Sequence, residues 1–329
     1  MNRSLLALLL SASLTANAQQ IETIVVIGNA TKLELVDQIE VTSLIESLQP
    51  TQVSTVGGVG GFSGFTERGT QASHTAVFRN GVMANDAGAG WYDLGHDLAT
   101  GNETVKVVTG PQGVLYGTAS MGGTVFINDT LTPGVTVKAG NNIRMASATL
   151  SDNINFTYAD VDNGSVRSDN TETDQYTQSS VRLQSDPLWN NFVVTYSVTD
   201  YEYDYDNCYT DQWEPSNDCL QQGLRQTLSV RNDNVTLGYN SNTVKYFTAD
   251  YESYDTDAKN YYFDARDELY SGKSMSILMG VTATQENYIG ESQDRLETYA
   301  LFTYQDWLDF GARYTGDTTV ARVGVTLLG

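Results

Sequence analysis

The chain has 329 residues and a formal charge of -22, from 18 basic and 40 acidic side chains, with 29 glycines and 20 tyrosines against 5 prolines. That excess of negative charge disfavours nucleic acid and acidic membrane surfaces as partners. Two histidines, two cysteines and no G-x-S-x-G or zinc-ligand spacing argue against an enzyme, and no internal stretch approaches the ~18 apolar residues of a transmembrane helix.

The N-terminus reads as a secretory signal over 1–18. Arg3 supplies the basic region, Leu5–Leu10 the apolar core and Ala16-Asn17-Ala18 the cleavage site, so the mature chain is expected to start at Gln19. An exported, polar chain of this kind is either periplasmic or an outer-membrane β-barrel. Abundant Tyr, Gly, Thr and Asn favour the barrel. Residues 19–29 are a short β-prone segment at an exposed terminus.

Residues 30–132 read as a small α+β domain. Ser43–Leu48 forms a short helix that stops before Pro50, and a glycine-rich loop follows at Gly57–Gly61. Strands are expected at Phe65–Gly69 and Thr75–Arg79, with Asn80-Gly81 turning the second into Val82-Met83. Thr104–Val108 runs into the Gly110-Pro111 turn, and Thr124–Asn128 closes the unit. His74 and His96 read as hydrogen-bonded structural residues rather than bases.

From Pro133 onward, alternation at period two dominates. Val235, Leu237 and Tyr239 alternate with Thr236, Gly238 and Asn240, and Phe192, Val194, Tyr196 and Val198 with more polar neighbours. Val323, Val325 and Leu327 repeat the pattern at the end of the chain. This suits barrel strands with lipid outside and water or protein inside; a periplasmic β-sandwich with a dry core is the rival. Trp189, Tyr201, Tyr203, Trp307 and Tyr314 are expected at strand ends as an interfacial girdle. Cys208 and Cys219 follow the signal and bracket one Asp/Tyr-rich loop, so a disulfide is expected there. The same loop carries Asp204, Asp206, Asp211 and Glu214, which suit either calcium or plain solvation, without EF-hand spacing.

Four strings carry a family resemblance: Arg68-Gly69-Thr70-Gln71-Ala72-Ser73-His74, Arg79-Asn80-Gly81-Val82, Gly110-Pro111-Gln112-Gly113-Val114-Leu115-Tyr116-Gly117 and Met121-Gly122-Gly123-Thr124-Val125-Phe126-Ile127. In this order and spacing they resemble the plug domain of TonB-dependent outer-membrane receptors, the first string resembling the vitamin B12 receptor subfamily in particular. The resemblance implies an α+β plug domain followed by an antiparallel transmembrane β-barrel in the outer membrane. It implies active uptake of a scarce nutrient such as a siderophore or cobalamin, with a small-molecule ligand such as a metal chelate. It further implies a TonB box at Glu22, Thr23, Ile24, Val25 and Val26, pairing edge to edge with the periplasmic TonB energy-coupling protein. Glu67 and Arg68 would meet the barrel wall, and plug loops Gly57–Phe62 and Asn85–Trp91 would face the ligand. No organic cofactor is expected, and calcium would be bound by the acidic barrel loop.

The chain departs from the family in length. Residues 133–329 provide ~12 strands at ~16 residues each, against ~22 in plugged transporters, and a closed ~12-stranded barrel is too narrow for a plug. The final residue, Gly329, is not the aromatic that ends such barrels. Three arrangements follow: an apparently truncated fragment or degenerate copy, a short form whose open sheet pairs with another chain, or a plug outside a smaller barrel. The first is favoured, because open sheet edges in lipid are costly. The functional alternatives are a receptor that binds ligand or partner without transport, and a porin-like passive barrel.

Overall fold

The computed structural model describes residues 40–48, 52–66, 69–110, 112–140, 142–164, 173–206, 208–249, 251–272, 274–305, 308–316 and 318–325. The signal at 1–18, the TonB-box residues Glu22–Val26, and Glu67, Arg68, Pro111, Trp307 and Gly329 lie outside them.

The N-terminal domain begins with helix α1 (Val41–Leu48), whose Val41, Leu44 and Ile45 turn one apolar stripe inward. A two-stranded ribbon follows, β1 (Gln52–Thr55) against β2 (Ser63–Thr66). The strand expected over Phe65–Gly69 therefore starts and ends earlier: Gly69 lies in a turn at φ 78°. A four-stranded sheet, in the order β4-β3-β6-β5, comes next. Its strands are β3 (Thr75–Arg79), β4 (Val82–Met83), β5 (Glu103–Thr109) and β6 (Gly123–Asp129), and β3 pairs parallel to β6. Asn80 (φ 49°) and Gly81 (φ 83°) both take the left-handed conformation that a tight two-residue hairpin turn requires. The one-turn helix α2 (Gly113–Tyr116) links β5 to β6. Ile45, Phe65, Leu94, Val105 and Ile127 lie in one apolar core.

Twelve antiparallel strands form the second unit, neighbours in chain order. They are β7 (Gly134–Ala139), β8 (Ile143–Ser151), β9 (Ile154–Gly164), β10 (Thr173–Gln184), β11 (Val193–Tyr205), β14 (Cys219–Arg231), β15 (Val235–Thr248), β16 (Tyr251–Ser271), β17 (Met275–Tyr288), β18 (Glu291–Tyr304), β19 (Leu308–Tyr314) and β20 (Thr319–Val325). A separate hairpin, β12 (Cys208–Tyr209) with β13 (Pro215–Ser216), projects between β11 and β14.

Burial in this sheet runs opposite to that of a soluble protein. Thr195, Ser197, Thr227, Ser229 and Asn240 are buried, while Leu237 and Phe310 are 48% and 53% exposed. A dry-core sandwich would bury the apolar face, so the alternation belongs to a wall with lipid outside and a polar interior. No described helix is long and apolar enough to cross a membrane.

The polar face wraps the plug. At one edge Lys138 of β7 donates to the Ala99 carbonyl (3.0 Å); at the other, Arg322 of β20 donates to Gln112 Oε1 (3.0 Å). Both edge strands thus grip the same domain from different sides, and among the described residues they do not pair with each other. The plug is inside the sheet and not beside it. The expected conflict between ~12 strands and a plug does not arise, because among the described residues the sheet does not close on itself. Two girdle assignments also fail: Tyr201 and Tyr203 point inward and are buried against the plug, whereas Trp189 is exposed in a 3-10 turn between β10 and β11.

Candidate functional site

Plug and wall meet along a buried ionic seam. Arg79, at the end of β3, donates to Asp97 Oδ1 (2.6 Å) and to Asp129 Oδ1 (3.1 Å). From the wall, Arg182 of β10 pairs with Glu103 and approaches Asp129 at 3.4 Å. Arg225 of β14 donates to the Asp93 carbonyl (3.1 Å), lies 4.0 Å from Asp97 and stacks 4.4 Å over the Tyr92 ring. Three arginines thus face Asp97, Glu103 and Asp129, every one of them buried. Burial opposes the charge on Arg79, but Asp129 and then Asp97 outweigh it and hold the guanidinium above its usual range. Burial likewise opposes ionisation of Asp129, and Arg79 with Arg182 overcomes it and keeps that carboxyl below its usual range.

Asn80 ties the seam to the wall. Its amide donates to Asp129 Oδ2 (2.8 Å), its Oδ1 accepts from the Asp129 amide (2.9 Å), and its carbonyl accepts from Ser229 Oγ (2.7 Å). A second contact holds α2. Arg313 of β19 donates to the carbonyls of Val114 (2.8 Å) and Leu115 (2.7 Å), pairs with Glu297 and covers the Tyr299 ring at 4.7 Å. The cation thereby meets helix carbonyls that have no helical partner.

At one end of the sheet, plug loops meet a wall of tyrosines. The Gly57–Phe62 loop packs under Tyr176 and Tyr203, and Val59 exchanges two hydrogen bonds with the Asn163 side chain (3.1 and 2.8 Å). A Cβ on Gly60 would stand 2.1 Å from the Tyr176 ring, so only glycine fits there. His96 stacks on Tyr201 at 3.6 Å, and its Nε2 lies 3.4 Å from Asp93 Oδ2. The Asn85–Trp91 loop presents a half-exposed Trp91 against Phe62 (5.8 Å), and Asp86 accepts from Asn242 (3.3 Å). The longest described sheet connection, 206–218, is at this end, as extracellular loops are in outer-membrane barrels.

Cys208 and Cys219 are disulfide-bonded (Cα–Cα 5.9 Å) and close the base of the β12–β13 hairpin. Asp211 and Glu214 are exposed near its tip, Asp204 is on β11, and Asp206 follows it. The four carboxylates are not brought together: among the described residues no three His, Cys, Asp or Glu side chains form a metal-binding group. His74 ends a 3-10 turn whose chain accepts from the Gly122 amide (2.7 Å), and Gly123 opens β6 opposite Thr75. Gly110 and Gly117 bracket α2 with φ of 81° and 86°.

Residues 18–124 match the family described as TonB-dependent Receptor Plug Domain. The first third of the chain is thus similar to TonB-dependent receptor plugs. A 152-residue stretch, 39% of the chain and 25% of the relative, is 30% identical to the vitamin B12 transporter BtuB of Vibrio vulnificus (strain YJ016). The whole fold is similar to the siderophore receptor PirA from Acinetobacter baumannii (TM-score 0.59, 10% identity, covering 91% of this chain and 59% of that one). It is also similar to the ferric enterobactin receptor PfeA from Pseudomonas aeruginosa in complex with enterobactin (TM-score 0.59, 11% identity, 90% and 59% covered). The chain thus has the plug-and-barrel-wall fold seen in those receptors, and it spans about 59% of the length of those two solved receptors. The matched family is one of receptors and not of enzymes.

The wall arginines Arg182, Arg225 and Arg313 escaped the sequence reading. Each sits at an inward position of its strand, as in Gln178-x-Ser180-x-Arg182 beside Val181 and Leu183. A basic residue in the polar register of a barrel strand is the signal that marks them.

Proposed function

We propose that this chain acts in TonB-dependent uptake of a scarce nutrient, with the plug as its gate. The observation that carries the reading is the ionic seam: Arg182 and Arg225 of the wall reach the buried plug cluster of Arg79, Asp97, Glu103 and Asp129, so buried charge joins a separately cored plug to the wall. Paired buried charge is strongly directional and costly to half-break, so such a contact opens as a unit rather than by degrees. Ligand would meet the Gly57–Phe62 and Asn85–Trp91 loops among Tyr176, Tyr203 and Trp91, at the end that carries the disulfide hairpin. Residues 22–26 would bind the TonB energy-coupling protein by strand addition, a mode driven by main-chain hydrogen bonds. The likeness to the vitamin B12 transporter and to the siderophore receptors supports a metal-chelate or corrinoid-sized ligand without choosing between them.

The test is uptake of labelled cobalamin and ferric siderophores by cells carrying the full-length protein. Accumulation that stops on collapse of the proton-motive force, and on deletion of residues 20–28, supports the reading. Passive entry unaffected by either treatment sinks it.

A further inference from the structure

Between the plug and the three central strands β14, β15 and β16 lies a cavity of about 350 Å³, within the size range of small-molecule sites. One wall is aromatic: Phe78 stacks on Phe126 (5.5 Å) and meets Tyr116 (5.5 Å) and Tyr262 (6.0 Å) edge-on. The other wall is cationic. Arg266 is balanced by Asp264 at 3.8 Å. Lys106 of β5 and Arg231 of β14 are not so balanced, for neither forms a salt bridge with a described carboxylate. The hydrogen bond of Arg231 runs to a neutral acceptor, Asn128 Oδ1 (3.0 Å). Asp233, the remaining acidic lining residue, is exposed on the turn, where solvent screens it. Two cations without a direct ion pair, Arg231 feeling Asp129 only at longer range, face one cavity in a chain with 40 acidic and 18 basic side chains.

We propose that this cavity binds a small aromatic anion, its ring against Phe78 and Phe126 and its carboxylate between Lys106 and Arg231. A guanidinium and an ammonium half-withdrawn from water reward a carboxylate with charge-assisted hydrogen bonds, and a planar ring suits the aromatic wall. The cavity lies beside the 232–234 turn, at the end of the sheet opposite the long connection that carries the disulfide hairpin. That is the periplasmic end by the usual asymmetry of barrel loops. The site is thus separate from the outer tyrosine mouth. Its walls come from the middle of the sheet, so it does not depend on what borders β7 or β20, and it stands whether or not the chain transports anything.

Calorimetric titration of the detergent-solubilised full-length protein with naphthoate tests it, with naphthylmethylammonium as the cationic counterpart. Saturable naphthoate binding is expected, weakened about tenfold in each of Arg231→Gln and Lys106→Gln, with the ammonium compound at least tenfold weaker on the parent protein. Lys106 makes no polar contact with a described side chain, so its variant reads charge and not folding, and unchanged heat-modifiability on a gel checks both variants. Naphthoate binding that is absent, no tighter than that of the ammonium compound, or unmoved by both substitutions overturns the proposal.

Discussion

Inside the plug, Ile45, Leu94, Val105 and Ile127 bury apolar surface alone, whereas the contact with the wall adds to its apolar clusters the buried charges of Arg79, Arg182, Arg225, Asp97, Glu103 and Asp129. The two kinds of burial fail differently. Apolar packing is non-directional and tolerates small shifts. A buried ion pair needs its geometry intact, and once one member leaves, the others remain as uncompensated charge. A domain meant to keep its own fold while leaving its seat is well served by the first kind inside and the second outside.

The largest expected effect breaks the seam. Arg182→Ala strands Glu103, takes one of two arginines from Asp129, and should cost ~3–5 kcal/mol of docking. Limited proteolysis of the outer-membrane protein should then cut plug loops that the parent protects, and adding Glu103→Gln should restore part of the protection. Ile127→Ala attacks the other side of the comparison. It should cost ~2–5 kcal/mol, seen as loss of protection throughout the plug sheet rather than at its rim.

A pH effect comes next. Glu40 precedes α1 and bridges to Leu98, and burial pushes its carboxyl up to about 7 from an ordinary 4.5, only partly offset by the Gly60 amide. Below 4.5 both states are protonated and nothing is lost. Between 4.5 and about 7 the unfolded chain ionises while the folded one stays neutral, so plug stability falls as pH rises, by at most about 3 kcal/mol, and it levels off above 7. Glu40→Gln should flatten the stability profile across that window, measured by denaturant titration at several pH values. The smallest effect is outside both regions: the exposed Lys245–Glu252 pair (3.0 Å) should be worth ~0–1 kcal/mol, so Lys245→Ala should leave the unfolding midpoint nearly unmoved.

Most plug strands were legible because turn chemistry and apolar runs agree locally, as at Thr75–Arg79 with Asn80-Gly81 and at Thr124–Asn128. β1 was not, since Gln52–Thr55 has no apolar alternation and gains its identity by pairing with β2. The wall strands were legible as strands, but not which tyrosines face inward. Alternation separates two faces without saying what fills the interior, and Tyr201 and Tyr203 pack on a domain more than a hundred residues earlier in the chain. The seam was hidden for the same reason: Arg182 and Glu103 are 79 residues apart, and neither has a local signature that names the other.

Native-state hydrogen exchange on the full-length protein in detergent tests the central claim most directly. The Val59 amide is held by Asn163 of the wall, whereas the Asn80 amide is held within the plug by the Ile127 carbonyl. The account predicts that the Val59 amide exchanges through a lower-energy opening than the Asn80 and β6 amides, and that Arg182→Ala lowers the first alone. A single opening energy shared by both sets, falling together in the variant, would contradict it.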